Sequence, residues 1–344
     1  MSNLQIGLAI TGGLVLAAVV AHSAWNSRKN SPRQAQTEPG QGGKLVDPPL
    51  DAQLSEIEFE AGRLNLPLPE TKPLLDALID VIAPIYLDGP VSGDAALASM
   101  PTTRRVGSKP FAIEGRHETL QHWELPRTGQ RYDAFQAGVQ LANRSGPLNE
   151  IEYSEFVMKT QSFADIINGT PDFPEMLDEV ARARELDQFA SSHDAELGFT
   201  LRARNSAWSP GYIQQNAARQ GFVSGVIPGR MVLAAQSPGL PPVLVLSFDT
   251  QAALAEDLTQ SAVREIHLGL DVAQVDRQLK AFERMCETAN VLALAMDGVL
   301  IDDQQQPLQT SAMAGVAAEL EKLYDTLDGH DFSAGSPLAR RLFS

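Results

Sequence analysis

Residues 1–27 of this 344-residue chain contain no charged side chain, and Leu4–Trp25 reads LQIGLAITGGLVLAAVVAHSAW. Wound as a helix at about 1.5 Å per residue, such a run is long enough to cross about 30 Å of hydrocarbon. It predicts a membrane anchor over residues 1–27, with a lipid bilayer around residues 4–25. Trp25 stands at the junction, where an amphipathic indole prefers the headgroup layer. Arg28, Lys29 and Arg33 follow directly, and no acid appears until Glu38. A cleaved secretory leader needs a basic segment before its apolar run, and here the basic cluster lies after it. The positive-inside rule then places the N-terminus outside and everything downstream in the cytoplasm. Gly7, Gly12 and Gly13 form no clean small-xxx-small pair and read as ordinary glycines of a membrane helix.

The formal net charge is −16, although the segment after the anchor is basic, so the rest of the chain is acidic. Nucleic acid is excluded as a partner, because phosphate binding needs clustered Lys and Arg. The acidic part is equally unsuited to lie flat on anionic lipid. Cys286 is the single cysteine, which rules out an intramolecular disulfide framework and suits a reducing compartment. Residues 28–72 read as a flexible linker. As far as Pro49 they are rich in Ser, Pro, Gln and Gly without a hydrophobic period. The remainder mixes Leu54, Ile57, Phe59, Leu64 and Leu66 with Pro67 and Pro69.

Beyond residue 72 the periodicity predicts an α+β protein. A first unit over 73–193 begins with a strand (78–87, despite Pro84) and a short helix (94–100). Strands at 111–115, 121–125 and 132–143 follow. Two helices come next: one carries Phe156, Thr160, Phe163 and Ile167 with Gly169 as its stop, the other Met176, Val180, Ala183, Leu186 and Ala190. A second unit over 194–328 opens on a strictly alternating strand, 195–204. A helix follows with Ser209 as N-cap, Pro210 at its first position and Gly221 at its end. Strands at 230–235, 243–249 and 263–270 lead into a long helix whose stripe is Val275, Leu279, Phe282, Cys286, Ala289 and Ala293. Cys286 on that stripe reads as a small buried residue. A strand at 298–303 and a helix from Thr310 complete the unit, and 329–344 reads as a frayed tail. The two strings of elements suggest a duplicated unit, the alternative being one domain with a long N-terminal elaboration.

Enzymatic signatures are missing. Asp302-Asp303 reads as a strand-end turn, and His117 and His122 flank a turn. There is no metal-ligand spacing, nucleophile elbow or phosphate loop, and no cofactor is expected. A sheet face is the better candidate. With the more apolar face of each second-unit strand packed under helices, the opposite face presents Gly198, Thr200, Val245, Ser247, Asp249, His267 and Gly269. Small side chains on adjacent strands leave a depression that a partner helix or extended peptide can fill. Ile227, Met231 and Leu233 are placed to add apolar contacts, Met being well suited to partner surfaces. An ordinary solvated sheet face is the other reading of the same residues.

His22-Ser23-Ala24-Trp25 at one end of the chain and the long run into Val299-Leu300-Ile301-Asp302-Asp303 at the other resemble the ZipA family of bacterial cell-division proteins. The exit from the apolar run, His22-Ser23-Ala24-Trp25-Asn26-Ser27-Arg28-Lys29, is similar to the family's. So are Gly221-Phe222-Val223-Ser224-Gly225 and the run FERMCETANVLALAMDGVLIDDQ from Phe282 to Gln304. The resemblance covers about residues 1–33 and 195–328; the family's linker is longer, and 74–193 has no counterpart in its best-known pattern. It implies a split β-α-β domain with helices on one face of an antiparallel sheet. The other face would be a trough for the C-terminal peptide of FtsZ, and the anchored chain would tether FtsZ polymers to the inner membrane at the division site, among other division proteins. The aromatic that the family carries near the position of His267 is missing here. A membrane-anchored scaffold for a different envelope or division protein is the alternative.

Overall fold

The computed structural model describes residues 33–34, 74–255, 261–302, 305–308 and 310–344. The expected anchor, with Trp25, Arg28 and Lys29, and all but two residues of the linker lie outside the described residues. No helix among the described residues is long and apolar enough to cross a membrane. The chain divides into two compact units, with Gln188 closing one and Phe189 opening the bulk of the other.

The first unit is built on four antiparallel strands: β1 (Asp80–Ser92), β2 (Lys109–His117), β3 (Arg131–Gln140) and β4 (Gly169–Pro171). Their order is β2-β3-β1-β4, and the two-residue strands Arg105–Val106 and Trp123–Glu124 extend β2. Helix α1 (Gly93–Ser99) follows β1, and α2 (Glu150–Ile166) and α3 (Met176–His193) flank β4 in sequence. Period-two alternation decides the faces: Val81, Ala83 and Ile85 stand beside Val139, Ala137 and Phe135, and all are buried. Phe156 and Phe163 of α2 meet this face edge-on, 6.1 Å from Phe111 and 5.4 Å from Phe135. Asn149 and Glu152 form a reciprocal capping box that starts α2. At its end Asn168 takes a left-handed φ of 54°, and Gly169 opens β4. Gly169 is therefore the first residue of a strand missing from the sequence reading rather than the helix stop; three residues are too few to show a period.

On the other face of this sheet Ala112, Gly138 and Ile82 lie side by side. Leu75, only 4 % exposed, sits over Gly138. The expected strands 121–125 and 132–143 are shorter: only Trp123–Glu124 pairs, and β3 stops at Gln140 before a tight hairpin, Ala142–Asn143 with Gly146–Pro147. That hairpin is pinned by the fully buried Lys109, whose ammonium donates to Asn143 Oδ1 at 2.8 Å and to the Gly146 carbonyl.

The second unit contains β5 (Glu196–Ala203), α4 (Pro210–Arg219), β6 (Val223–Ser224), β7 (Arg230–Leu233), β8 (Leu244–Ser247), β9 (Glu265–Asp271), α5 (Ala281–Met296), β10 (Gly298–Ile301), α6 (Thr310–Gly329) and α7 (Pro337–Leu342). One antiparallel sheet takes the order β6-β7-β8-β9-β5-β10. Ser209 caps α4 as expected, accepting from the Tyr212 amide, with Pro210 inside the first turn. Phe199, Leu201, Leu246, Ile266, Leu268 and Leu270 are buried on one face, and Phe282 of α5 lies 6.3 Å from Phe199.

Three expectations do not hold. The buried stripe of α5 is Phe282, Met285, Ala289, Leu292 and Met296; Cys286 stands beside it and is half-buried. Val275 and Leu279 precede the helix, because Asp276 caps a 3-10 turn, Arg277–Leu279, that resets the phase. The segment 329–344 is not frayed: Ala339, Leu342 and Phe343 are fully buried, and Gln274 Nε2 donates to the Phe343 carbonyl at 2.6 Å.

Candidate functional site

The face of the second sheet away from its buried strand residues is organised in rows that run across the strands. Register pairs Val223 of β6 with Val232 of β7, Val232 with Val245 of β8, Val245 with Gly269 of β9, and Gly269 with Gly198 of β5. One row therefore reads Val-Val-Val-Gly-Gly. At a strand spacing of about 4.8 Å it is about 19 Å long. The floor is bare at its glycine end. A Cβ built on Gly198 would meet nothing within 4 Å among the described residues, and one on Gly269 only two backbone oxygens, at 3.8 and 3.9 Å.

The neighbouring row is polar. It carries Arg230, Ser247, His267 and Thr200 in register and ends at the buried Ile301, against which Pro307 closes the sheet. Thr200 Oγ1 and His267 Nδ1 are 3.0 Å apart, which fixes the imidazole against the sheet. Further along, Arg202 Nε donates to Glu265 Oε1 at 2.9 Å. Arg230 is exposed at the opposite end and supplies a guanidinium beside the valine row. Val226 and Ile227, both exposed, lie in the loop between β6 and β7, which is closed by the Gly225 amide donating to the Arg230 carbonyl at 2.8 Å.

The structure thus gathers Gly198, Thr200, Val245, Ser247, His267 and Gly269 on one face and leaves Ile227 in the edge loop. Met231 and Leu233 are corrections: each is 4 % exposed and paired with Leu246 and Leu244, on the helix-covered side. Alternation leaves Val232 to the open face instead. Asp249 is also displaced from the face, because its carboxylate accepts from the Gln251 amide at 2.8 Å and caps the short helix Thr250–Ala253. Val223 and Val232 were missed. In Arg230-Met231-Val232-Leu233 three apolar residues in succession hide the period, and only the register with Val245 reveals which one is open.

Elsewhere His117 and His122 stack at 5.7 Å, with His117 Nδ1 accepting from the Thr119 and Leu120 amides, so the pair stabilises a turn. Asp302 Oδ1 accepts from the Gln306 amide at 2.8 Å, the expected turn; Asp303 lies outside the described residues.

Residues 247–319 match the family model described as ZipA, C-terminal FtsZ-binding domain. The matched segment holds Ser247, His267 and Gly269 of the open face, together with α5, β10 and the first half of α6. The description of that family is of a domain that binds a protein, FtsZ. No curated protein matches the chain. Among solved structures, berberine bridge enzyme from Eschscholzia californica shares 9 % identity over 62 % of this chain and 41 % of that one. Its TM-score of 0.15 carries no argument about fold or function.

Proposed function

We propose that this chain, which carries a match to the FtsZ-binding domain of ZipA, is a single-pass inner-membrane division protein that holds FtsZ polymers at the bilayer. The open face of its second sheet takes the C-terminal peptide of FtsZ as a ligand, without catalysis and without a cofactor. The observation that carries this reading is the uninterrupted row Val223-Val232-Val245-Gly269-Gly198, apolar at one end and bare at the other.

The dimensions support it. A row of about 19 Å accommodates about 13 helical residues, or three to four turns of an amphipathic peptide lying across the strands. The peptide's apolar face would rest on the valines and sink onto the glycines. An acidic residue beside that face would meet Arg230. Partly exposed valines contribute modestly, so micromolar affinity is expected once the cost of ordering the peptide is subtracted. Confinement to a membrane and the many tails on one polymer would raise the effective strength. Anchoring through residues 4–25 rests on the uncharged run and its basic flank.

The test is fluorescence anisotropy of a labelled FtsZ C-terminal peptide titrated with the full-length chain and with Val245→Asp. Saturable micromolar binding, abolished by the substitution with circular dichroism unchanged, is the expected outcome. A folded wild-type chain that leaves the anisotropy flat at hundred-micromolar protein would sink the reading.

A further inference from the structure

We infer that residues 74–188 are a second copy of the trough-bearing fold, and that the chain's own Leu75 holds this copy's trough shut. The strand order β2-β3-β1-β4 of the first unit matches β8-β9-β5-β10 of the second, with every neighbour antiparallel. The agreement reaches single residues. Gly138 of β3 lies between Ile82 of β1 and Ala112 of β2, as Gly269 of β9 lies between Gly198 of β5 and Val245 of β8. One row along, Pro84, Gln136 and Glu114 stand where Thr200, His267 and Ser247 stand. The strands β1 and β5 are each followed by a helix with a serine N-cap, Ser92 and Ser209.

The long helices also end alike. Asn168 at φ 54° precedes Gly169, and Asp297 at φ 53° precedes Gly298, short polar side chains being the ones that tolerate this conformation. A Cβ on either glycine would fall 2.7 Å from a side chain of the central strand, Ile85 Cγ2 in one unit and Leu201 Cδ1 in the other. Ile85 and Leu201 each come one residue after the matched pair Pro84 and Thr200. Strand order alone requires none of these coincidences.

The copies differ at the floor. Where a Cβ on Gly269 would meet only backbone oxygens of the sheet among the described residues, at 3.8 and 3.9 Å, a Cβ on Gly138 would strike Leu75 Cδ2 at 2.5 Å. Leu75 is buried although it lies outside the helix-facing cluster. A turn holds it there. The Ile79 and Asp80 amides donate to the Asp76 carbonyl at 3.1 and 2.8 Å, and the Asp76 amide donates to Asp80 Oδ2 at 2.8 Å. The Leu74 amide donates to Glu114, a residue of the next row. A leucine set on a bare floor beside a backbone amide bound to the sheet face is the way a docked peptide is held. The first copy therefore carries its ligand in its own chain, and the second copy is the one left for a partner. This inference rests on the peptide-binding reading given under Proposed function.

A steric exchange in the full-length chain tests it. Gly138→Val evicts Leu75, and Leu75→Ala empties the floor. Each is expected to lower Tm by about 5 °C. The double variant should recover most of that loss, because the valine fills the vacated space, whereas Gly269→Val should lower nothing. Losses that simply add in the double variant would overturn the plug. Calorimetric titration with the FtsZ C-terminal peptide should give one peptide per chain, and two would equally overturn a closed first trough. No peptide bound at all would defeat the peptide-binding reading, while the exchange at 75 and 138 still decides whether the floor is filled from within.

Discussion

Gly269→Val separates folding from binding by moving them in opposite directions. Gly269 sits mid-strand in β9, and its backbone is outside the left-handed region, so a β-branched residue fits the strand. Glycine in a strand interior costs about 0.5–1 kcal/mol relative to alanine, and valine adds a favourable strand propensity. The nearest atoms to a new Cβ are oxygens at 3.8 and 3.9 Å, ordinary contact distances. Stability should therefore rise by about 1 kcal/mol, or about 3 °C in Tm. The two methyls, however, stand on the floor of the trough. A peptide lifted by even 0.5–1 Å forfeits roughly a quarter to a half of each dispersion contact along the row. A loss of about 1.4 kcal/mol or more follows, at least tenfold in Kd. Differential scanning fluorimetry and peptide anisotropy on the same preparation read both effects. An unchanged Kd in a variant with raised Tm would refute the assignment of the trough floor, because a methyl-bearing side chain would then stand at the proposed contact without being felt.

Two further outcomes follow from buried groups. Burial pushes the Tyr153 phenol up to about 12, and its hydroxyl donates to the Pro174 carbonyl. In the unfolded chain the phenol ionises near its usual value of about 10. Its contribution is thus complete below pH 10 and lost as pH rises from about 10 to about 12, up to roughly 2–3 kcal/mol. Tyr132 and Tyr324, also raised by burial, act in the same sense, and Lys109, lowered by burial, in the opposite one. Urea midpoints between pH 9 and 12 should fall less steeply in Tyr153→Phe than in the wild type; parallel slopes would exclude this phenol as the cause. Phe343→Ala empties a fully buried site near the end of α7 and should cost about 3–5 kcal/mol in urea denaturation. A loss below about 1 kcal/mol would mean that the tail adds little to the second core.

Legibility in the sequence followed local rules. Strands with clean alternation, such as Glu196–Ala203, and helices with a serine cap and a following proline, such as Pro210–Arg219, were readable because one residue class falls on one face. Gly198, Thr200, His267 and Gly269 came from the same logic. It failed where tertiary structure chooses between equivalent residues. Met231, Val232 and Leu233 are all apolar, and only pairing with β8 sends Val232 outward and its neighbours inward. The phase of α5 was lost because Asp276 and the left-handed Lys280 insert a separate turn before it. The tail was misread because twelve of the sixteen residues of 329–344 are polar, small or proline, which conceals that Leu342 and Phe343 bury completely. The correspondence we infer between the two units is also invisible in residue identities. It shows itself in backbone requirements — the paired glycines and the Asn168 and Asp297 turns — rather than in conserved chemistry.

The row across the second sheet draws one residue from each of five strands, which come from chain segments as far apart as Gly198 and Gly269. Each of its positions answers to its own strand and points away from the core. A change at any one of them leaves the partners of the other four in place. Such a surface can be retuned one letter at a time while the fold beneath it stays under no pressure to follow.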